Sequence, residues 1–192
     1  MFFGSTCLLC TASAGPVCAR CAQGLVAGGR VDVPGLASCR SVFVLDDACR
    51  TVIAAMKYRG QHGIARWLGQ ELAPAIPRLA DVVTWVPATP ERRRRRGFDQ
   101  AELLARSAAS SAGVPCVQLL RRASNDARQT GLSRAERQRG PAVEVVARCE
   151  PLVVLVDDVM TTGSSLRVAA DALRQGGATR VVGIVVAATP AR

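Results

Sequence analysis

The segment from Val153 to Leu166, VVLVDDVMTTGSSL, joins an aliphatic run to two adjacent acids, a loop of small hydroxylated residues and the start of a helix. The run from Leu152 to Val156 predicts a strand buried on both faces, which is typical of a parallel sheet between helices. We expect a loop from Asp157 to Gly163 and a helix beginning at Ser164. Because open parallel sheets bind ligands beyond the carboxyl ends of their strands, the segment predicts an α/β fold with a ligand site at the two acids.

Strand and helix patterns alternate along the rest of the chain. An apolar stretch from Val42 to Met56 precedes a predicted helix from Gly63 to Ala75 and a predicted strand from Asp81 to Val86. The later predicted elements are a helix between a cap at Asp99 and a stop at Gly113, a short strand from Val114 to Leu119, a helix from Ser164 to Gln175 and a strand from Arg180 to Ala187. This alternation predicts a mostly parallel sheet flanked by helices.

The segment from Arg121 to Val143 is polar and basic and lacks a clear hydrophobic period. It predicts a long loop, and loops of this length in compact domains are usually functional. We expect the part from Arg121 to Gly140 to close over a ligand and exclude water.

Eight cysteines divide into two groups. Four lie in paired CxxC motifs near the start of the chain, at Cys7, Cys10, Cys18 and Cys21. This spacing favours a tetrahedral structural Zn²⁺ site in residues 1–30, with free thiols or a redox CxxC motif as the alternatives. A redox motif would be expected beside a βαβ unit, which this part of the sequence lacks. The others, Cys39, Cys49, Cys116 and Cys149, have no ligand spacing and are expected to be buried as small hydrophobic residues.

The charge of the chain predicts anionic partners. It has 192 residues with a formal net charge of +10, and five consecutive arginines lie at Arg92 to Arg96. The run has three interpretations, namely a solvated basic turn, a polyphosphate contact or a nucleic-acid patch, and the last two remain equally open. No signal peptide or membrane-spanning stretch is evident, so we expect a cytoplasmic protein without membrane insertion.

The residues TTGSS, Thr161 to Ser165, predict an anion site because helix-start N–H groups and hydroxyl side chains converge there. Gly163 allows the chain to fold closely around a phosphate. The preceding carboxylates can accept short hydrogen bonds from two hydroxyl groups. A ribose 5-phosphate satisfies both halves, whereas the glycine patterns of Walker loops and dinucleotide-binding folds are absent. The acids alone offer too few ligands for a metal ion, although Mg²⁺ could bridge them and a polyphosphate.

VVLVDDVMTTGSSL as a whole closely resembles the signature of type I phosphoribosyltransferases. Four further features look, in this order, like the ComF family of amidophosphoribosyltransferase-like competence proteins. They are the paired CxxC motifs, KYRG from Lys57, VPATPERRRRRGFDQAELLA from Val86 and RQTGLSRAERQRG from Arg128. The resemblance implies a type I phosphoribosyltransferase core in residues 31–192 after the zinc-binding segment, with family relatives linked to natural DNA uptake.

The resemblance also implies roles for individual residues. Asp157 and Asp158 are expected to contact the ribose hydroxyls of phosphoribosyl pyrophosphate (PRPP), Thr161 to Ser165 its 5′-phosphate, and Pro87 to Thr89 its pyrophosphate. The expected PRPP-binding set is Pro87, Ala88, Thr89, Asp157, Asp158, Val159, Met160, Thr161, Thr162, Gly163, Ser164 and Ser165. The expected catalytic residues are Asp157, Asp158 and Lys57. Further cations that could assist are Arg59, the arginines from Arg92 to Arg96, Arg128, Arg134 and Arg137.

Two positions depart from the family pattern. Related sequences commonly carry RGFNQ where this chain has RGFDQ, so Asp99 replaces an asparagine. The added negative charge argues against a direct phosphate contact by Asp99, which still suits a helix cap. Arg139-Gly140-Pro141 likewise stands where relatives usually carry an asparagine.

Two functions are implied by the resemblance. The first is a Mg²⁺-dependent transferase that moves the phosphoribosyl group of PRPP to an unknown acceptor and releases pyrophosphate. The second is a non-catalytic PRPP-binding or scaffold protein in DNA uptake, which binds single-stranded DNA or a helicase partner.

Overall fold

Five strands form the central sheet of the computed structural model, which describes residues 6–58, 62–122 and 143–190. In chain order the strands of the described residues are β1 (Arg30–Val31), β2 (Ser38–Val44), β3 (Val82–Trp85), β4 (Leu120–Arg122), β5 (Val143–Val145), β6 (Leu152–Met160) and β7 (Arg180–Ala188). Two of them, β4 and β5, form a separate pair. The central sheet has the order β1-β2-β7-β6-β3. All its pairings are parallel except that of β1 with β2, which confirms the predicted mostly parallel sheet.

Helices cover both faces of this sheet. They are α1 (Ala19–Gln23), α2 (Asp47–Tyr58), α3 (His62–Leu72), α4 (Pro90–Arg96), α5 (Gln100–Ala112) and α6 (Ser164–Gln175). Helices α2, α3 and α5 share one hydrophobic core with the sheet, while α6 and the antiparallel β4–β5 pair share the other. The α/β class predicted from the sequence is therefore observed.

The side chains of β6 alternate between the two cores. Val154 and Val156 pack with α2, α3 and α5, whereas Val153 and Leu155 pack with α6 and β4. All four side chains are fully buried. Burying one aliphatic side chain of this size stabilises a fold by roughly 1.5–3 kcal/mol, which explains an uninterrupted apolar run rather than an alternating one.

Strand β6 is longer than predicted. It continues to Met160, so Asp157 and Asp158 lie in the last part of the strand and not in the loop assigned from the sequence. The reason is the length of β7, which pairs with β6 as far as Met160 and Ala188. The loop itself is confined to Thr161 to Gly163, because α6 begins at Ser164 as predicted.

Two other boundaries differ from the sequence prediction. The expected strand from Val114 to Leu119 makes only an isolated bridge, from Cys116 to Val83, because Pro115 has no N–H group with which to extend a ladder. Helix α3 ends at Leu72 and a 3₁₀ turn follows at Ala73–Ala75, where Pro74 cannot donate an α-helical hydrogen bond.

The arginine run is helical rather than a turn. The hydroxyl of Thr89 accepts a hydrogen bond from the Arg92 N–H, Pro90 is the first residue of α4, and Gly97 ends the helix in the left-handed conformation with φ +81°. These are ordinary helix start and stop signals, and they outweigh the repulsion among the like charges.

Most of the predicted loop from Arg121 to Val143 lies outside the described residues, together with Arg128, Arg134 and Arg137, and so does Arg59. The two ends of the loop prediction are wrong, because Arg121, Arg122 and Val143 lie in the strands β4 and β5. That pairing buries Leu120 against α6 and lets Arg121 form an ion pair with Glu144 at 3.1 Å.

The cysteine-containing segment packs against the rest of the chain. Val17 and Leu25 belong to the same core as α2, α3 and α5, and Ala27 forms a bridge with Phe43 of β2. The division of the chain at residue 30 remains a prediction. Within the described ranges, no helix has both the length and the apolar character needed to cross a membrane.

Candidate functional site

Two loops meet at the carboxyl edge of the sheet. Pro87 to Thr89 follow β3, and Thr161 to Gly163 follow β6, which is the parallel neighbour of β3. From β3 the chain goes to the outer side, where Cys116 forms its bridge, whereas from β6 it goes inward to β7. The strand order therefore reverses between β3 and β6, which is where open parallel sheets form ligand crevices.

A cavity of about 280 Å³ lies at this point. It is lined by residues from four helices, two strands and the connections after β3, α4 and β6. These are Lys57, Val86, Pro87, Ala88, Arg92, Asp99, Gln100, Ala101, Arg122, Asp157, Asp158, Val159, Thr161 and Ser165. The fold thus brings together members of all three groups expected from the sequence, namely the acids, the TTGSS loop and the loop after β3.

Asp158 is held by two side chains from distant parts of the chain. The ammonium of Lys57, near the end of α2, lies 2.8 Å from Asp158 Oδ2, and the Gln100 amide donates a hydrogen bond to the same oxygen at 3.3 Å. Only 9% of the Asp158 surface is exposed. Because a buried carboxylate needs both charge and hydrogen-bond partners, these contacts stabilise the Asp158 side chain and fix its orientation.

Asp157 has a different environment. Its Oδ1 accepts a hydrogen bond from the Asp158 N–H at 2.8 Å. Burial and, secondarily, the neighbouring charge of Asp158 raise the pKa of Asp157 to about 8, against the smaller opposing effects of that hydrogen bond and of Lys57. The two adjacent acids therefore have different environments, because Lys57 and Gln100 contact the Asp158 carboxylate, whereas burial and the adjacent acid dominate at Asp157.

The loop after β6 is shaped by a glycine. Gly163 has φ +71°, and a Cβ atom there would lie 3.2 Å from Cγ2 of Val33. Only glycine combines this backbone conformation with so close a neighbour. The hydroxyl of Thr162 donates to the Ser164 hydroxyl at 3.1 Å, and both side chains are exposed beside the start of α6. Thr161 and Ser165 are exposed as well, whereas Met160 is buried.

The loop after β3 is fastened from both sides. The Ala88 N–H donates to Asp99 Oδ2 at 2.7 Å, and Arg122 Nε donates to the Pro87 carbonyl at 2.8 Å. Asp99 also accepts from Ala101 and Glu102 at the start of α5, which confirms the predicted cap. One carboxylate thus joins the helix start to the loop, and burial raises its pKa.

Three polar residues of the cavity were not assigned to a site from the sequence. Gln100 and Arg122 were not singled out at all, and Asp99 was assigned only as a cap. Their sequence signals are weak, because Gln100 follows an ordinary N-cap and Arg122 lies among polar residues without a period. Of the arginines in the run, Arg92 lines the cavity.

The four N-terminal cysteines form a second cluster. The sulfur atoms of Cys7, Cys10, Cys18 and Cys21 all lie within 4.8 Å of one another, and those of Cys10 and Cys18 are 3.6 Å apart. Sulfurs bound to one tetrahedral Zn²⁺ at about 2.3 Å would be separated by roughly 3.8 Å, so the arrangement fits such an ion. The Cys18 N–H donates to Cys7 Sγ at 3.3 Å, an interaction of the kind that orients metal ligands. The cluster could hold a metal such as zinc.

The remaining cysteines behave as predicted. Cys39, Cys49 and Cys149 are buried, and Cys116 is half-buried. Burial raises the pKa of Cys39, Cys49 and Cys116 to about 11, so these thiols are protonated at neutral pH. They serve as small core residues.

The chain is similar to proteins of known families. Residues 99–192 match the family described as "Phosphoribosyl transferase domain". Competence protein ComFC of Bacillus subtilis (strain 168) is 27% identical over 145 residues, which cover 72% of this chain and 58% of that protein. Competence protein F of Haemophilus influenzae is 30% identical over 141 residues, which cover 66% of this chain and 62% of that protein. The chain thus spans less than two thirds of the length of either relative.

A solved structure also resembles the chain. The allosteric regulatory enzyme of purine biosynthesis is 29% identical, with a TM-score of 0.49 over 65% of this chain and 26% of the other.

Proposed function

Because the chain belongs to the ComF family within the type I phosphoribosyltransferase superfamily, we propose that it binds PRPP and transfers its phosphoribosyl group to an acceptor, releasing pyrophosphate. The observation that carries the proposal is the cavity between β3 and β6. Its walls combine the Asp157–Asp158 pair, the TTGSS loop and a second loop that is fastened by Asp99 and Arg122.

Each part of PRPP has a matching part of the cavity. The hydroxyl groups and helix start of Thr161 to Ser165 suit the 5′-phosphate. Asp157 and Asp158 suit the ribose hydroxyls, as acceptors of hydrogen bonds. Arg92 and Arg122 suit the pyrophosphate. Lys57 balances the charge of Asp158 and holds it in place.

The reaction requires the chain mainly to position groups and to stabilise charge. Attack at ribose C1 breaks the bond to pyrophosphate, so negative charge grows on the leaving group while positive charge grows on the sugar. Arg92 and Arg122 would stabilise the leaving pyrophosphate, and the carboxylate side of the cavity would stabilise the sugar. Asp157 and Asp158 would hold Mg²⁺ at the cavity together with the substrate, and the ion would supply positive charge that neutralises the leaving group further.

We also propose that the four-cysteine cluster binds a structural Zn²⁺. Four thiolates complete the tetrahedral shell and leave no open coordination position, so the ion would support the fold and not the reaction. The cluster lies in the segment that packs through Val17 and Leu25.

A second function is favoured by the exposed arginines of α4. Residues Arg92 to Arg95 are exposed on a helix that begins at the loop after β3. The relatives are named competence proteins. A PRPP-binding protein that handles single-stranded DNA, alone or with a helicase partner, would need such a basic surface without needing transfer chemistry.

Isothermal titration with PRPP and Mg²⁺ tests the pocket that both functions require. We expect the double variant Asp157→Ala/Asp158→Ala to bind PRPP about 100-fold more weakly, because it loses the hydrogen bonds to two hydroxyls. The matched control is Asp171→Ala, which removes an exposed acid paired with Arg174 on α6. No binding by the unmodified protein would refute both functions. Pyrophosphate release in the presence of candidate acceptors would then separate transferase from binding protein.

A further inference from the structure

The side chain of Gln100 is buried at the edge of the cavity in which the proposed function takes place. Gln100 is the first residue of α5, directly after the Asp99 cap, and it is 5% exposed. It lines the cavity beside Asp158. A polar side chain this deeply buried at a ligand cavity needs partners for both its donor and its acceptor.

The orientation of the Gln100 amide is fixed by its neighbour. Asp158 Oδ2 also lies 2.8 Å from the Lys57 ammonium, which can only donate, so this oxygen is an acceptor of hydrogen bonds. The Gln100 NH₂ group must therefore face Asp158, as the 3.3 Å contact requires. The carbonyl oxygen Oε1 consequently points away from the acid.

The Gln100 Oε1 atom is buried, and it has no hydrogen-bond donor among the residues that the structure describes. Leaving a buried carbonyl oxygen without a donor is unfavourable, so such atoms are nearly always paired in native proteins. A bound ligand at the cavity is a partner that would satisfy it.

The chemistry of Oε1 restricts what this ligand group is. A carbonyl oxygen repels the unprotonated oxygens of a phosphate and attracts a group that donates a hydrogen. The Gln100 end of the cavity therefore suits a hydroxyl and not a phosphate. Arg92 and Arg122 supply the donors that phosphate groups need elsewhere in the same cavity.

We propose that Gln100 is a ligand-orienting residue whose Oε1 accepts a hydrogen bond from a sugar hydroxyl while its NH₂ group holds Asp158. The proposal rests on the proposed function, since the sugar is that of PRPP. Gln100 and Asp158 together form one hydroxyl-binding wall, and this wall sets the direction in which the ribose lies between the phosphate-binding loops.

A ligand series tests the proposal in the full-length protein. The ligands are PRPP with Mg²⁺, ribose 5-phosphate and pyrophosphate with Mg²⁺, measured by isothermal titration. The variant Gln100→Leu keeps a similar volume but has no polar atoms, and Gln70→Leu, on the exposed side of α3, is the matched control. We expect Gln100→Leu to lower the affinity for PRPP and for ribose 5-phosphate about tenfold each, and the affinity for pyrophosphate less than twofold.

A double-mutant cycle separates direct contact from support of Asp158. If Oε1 touches the ligand, Gln100→Leu weakens PRPP further in an Asp158→Ala background. If Gln100 acts only through Asp158, the second substitution has no additional effect, and the proposal is wrong.

Other results would also overturn it. An equal loss of affinity for all three ligands would indicate a general distortion of the cavity. A melting temperature of Gln100→Leu far below that of Gln70→Leu would indicate the same. Unchanged PRPP affinity in folded Gln100→Leu would remove the contact while leaving the proposed function intact. Failure of the unmodified protein to bind PRPP would refute the proposed function itself, and the sugar assignment with it.

Discussion

In the folded chain, Asp157 binds a proton at pH values at which the unfolded chain would release it. Its ordinary pKa is 3.8, and burial with the adjacent Asp158 charge raises it to about 8 in the fold. Between these pH values the folded state binds more protons than the unfolded state, so the free energy of unfolding falls as pH rises. The stabilising effect is complete below about pH 4 and is lost as pH rises through about 8.

We therefore expect the stability advantage of Asp157→Asn over the unmodified protein to be larger at pH 8.5 than at pH 5, by at least about 1–2 kcal/mol. The asparagine oxygen can still accept from the Asp158 N–H, so the comparison isolates the charge. Urea unfolding at both pH values measures the difference. The control is Asp171→Asn, an exposed position whose effect should not change over this range. A difference that is the same at both pH values would contradict the raised pKa.

At the level of single elements, Asp99 couples a helix start to a loop. Asp99→Ala removes the acceptor of three N–H groups, those of Ala88, Ala101 and Glu102. We expect it to lower the free energy of unfolding by about 2 kcal/mol and to weaken PRPP binding, because the loop after β3 loses its anchor.

The conservative comparison is Asp99→Asn, which keeps the size and shape of the side chain. It keeps the helix-capping oxygen but replaces the oxygen that accepts from the Ala88 N–H with a donor, so its stability should lie between that of Asp99→Ala and that of the unmodified protein. Denaturant unfolding and PRPP titration of both variants provide the measurement. If Asp99→Ala bound PRPP with unchanged affinity, the link between Asp99 and the loop would have no functional effect.

Helix α4 allows its two proposed anionic partners to be separated. Arg93 and Arg94 are exposed and do not line the cavity, whereas Arg92 does. We expect Arg93→Gln/Arg94→Gln to reduce the salt dependence of single-stranded DNA binding by about 1.4 in log–log slope, at about 0.7 per phosphate contact, and to leave PRPP affinity within twofold. Arg92→Gln should weaken PRPP binding instead.

Fluorescence anisotropy of a labelled oligothymidine between about 50 and 200 mM salt gives the slope. Unmodified protein that binds no single-stranded DNA would exclude the nucleic-acid role of α4. If Arg93→Gln/Arg94→Gln lost as much PRPP affinity as Arg92→Gln, the whole helix would act as one polyphosphate contact.

How far the sequence predicts these elements depends on how local their causes are. The β6–loop–α6 unit was predictable because its aliphatic run, its small residues and its helix start are contiguous. Helix α4 was not predicted, although Thr89, Pro90 and Gly97 signal it, because the repulsion among five adjacent arginines argues against a helix. The length of β6 was missed because it depends on β7, which only the sheet register reveals.

The cavity shows the same limit for the candidate site. The acids and both loops could be located from motifs, but the contact of Lys57 and Gln100 with Asp158 joins residues that lie far apart in the chain. Nothing local to Gln100 distinguishes it from a helical surface glutamine. Its role depends on which strand end the start of α5 meets, and a single sequence does not specify that packing.

On the scale of the whole molecule, the four-cysteine cluster is tied to the main core. Val17 lies between the two CxxC motifs and Leu25 lies just after them, and both pack with α2, α3 and α5. Loss of a metal from the cluster would therefore loosen part of the central core instead of releasing an independent module. Unfolding of the metal-bound protein should be a single transition, since the segment and the sheet share one core.

We expect one zinc ion per chain in protein purified without chelator, and a melting temperature lower by roughly 10 °C after zinc removal. Cys10→Ser should lose the ion and show the lower melting temperature without chelator. Cys116→Ser, outside the cluster and half-buried, should retain full zinc content. Elemental analysis and scanning calorimetry make both measurements. Zinc removal that left the calorimetric transition unchanged would mean that the cluster does not stabilise the core into which Val17 and Leu25 pack.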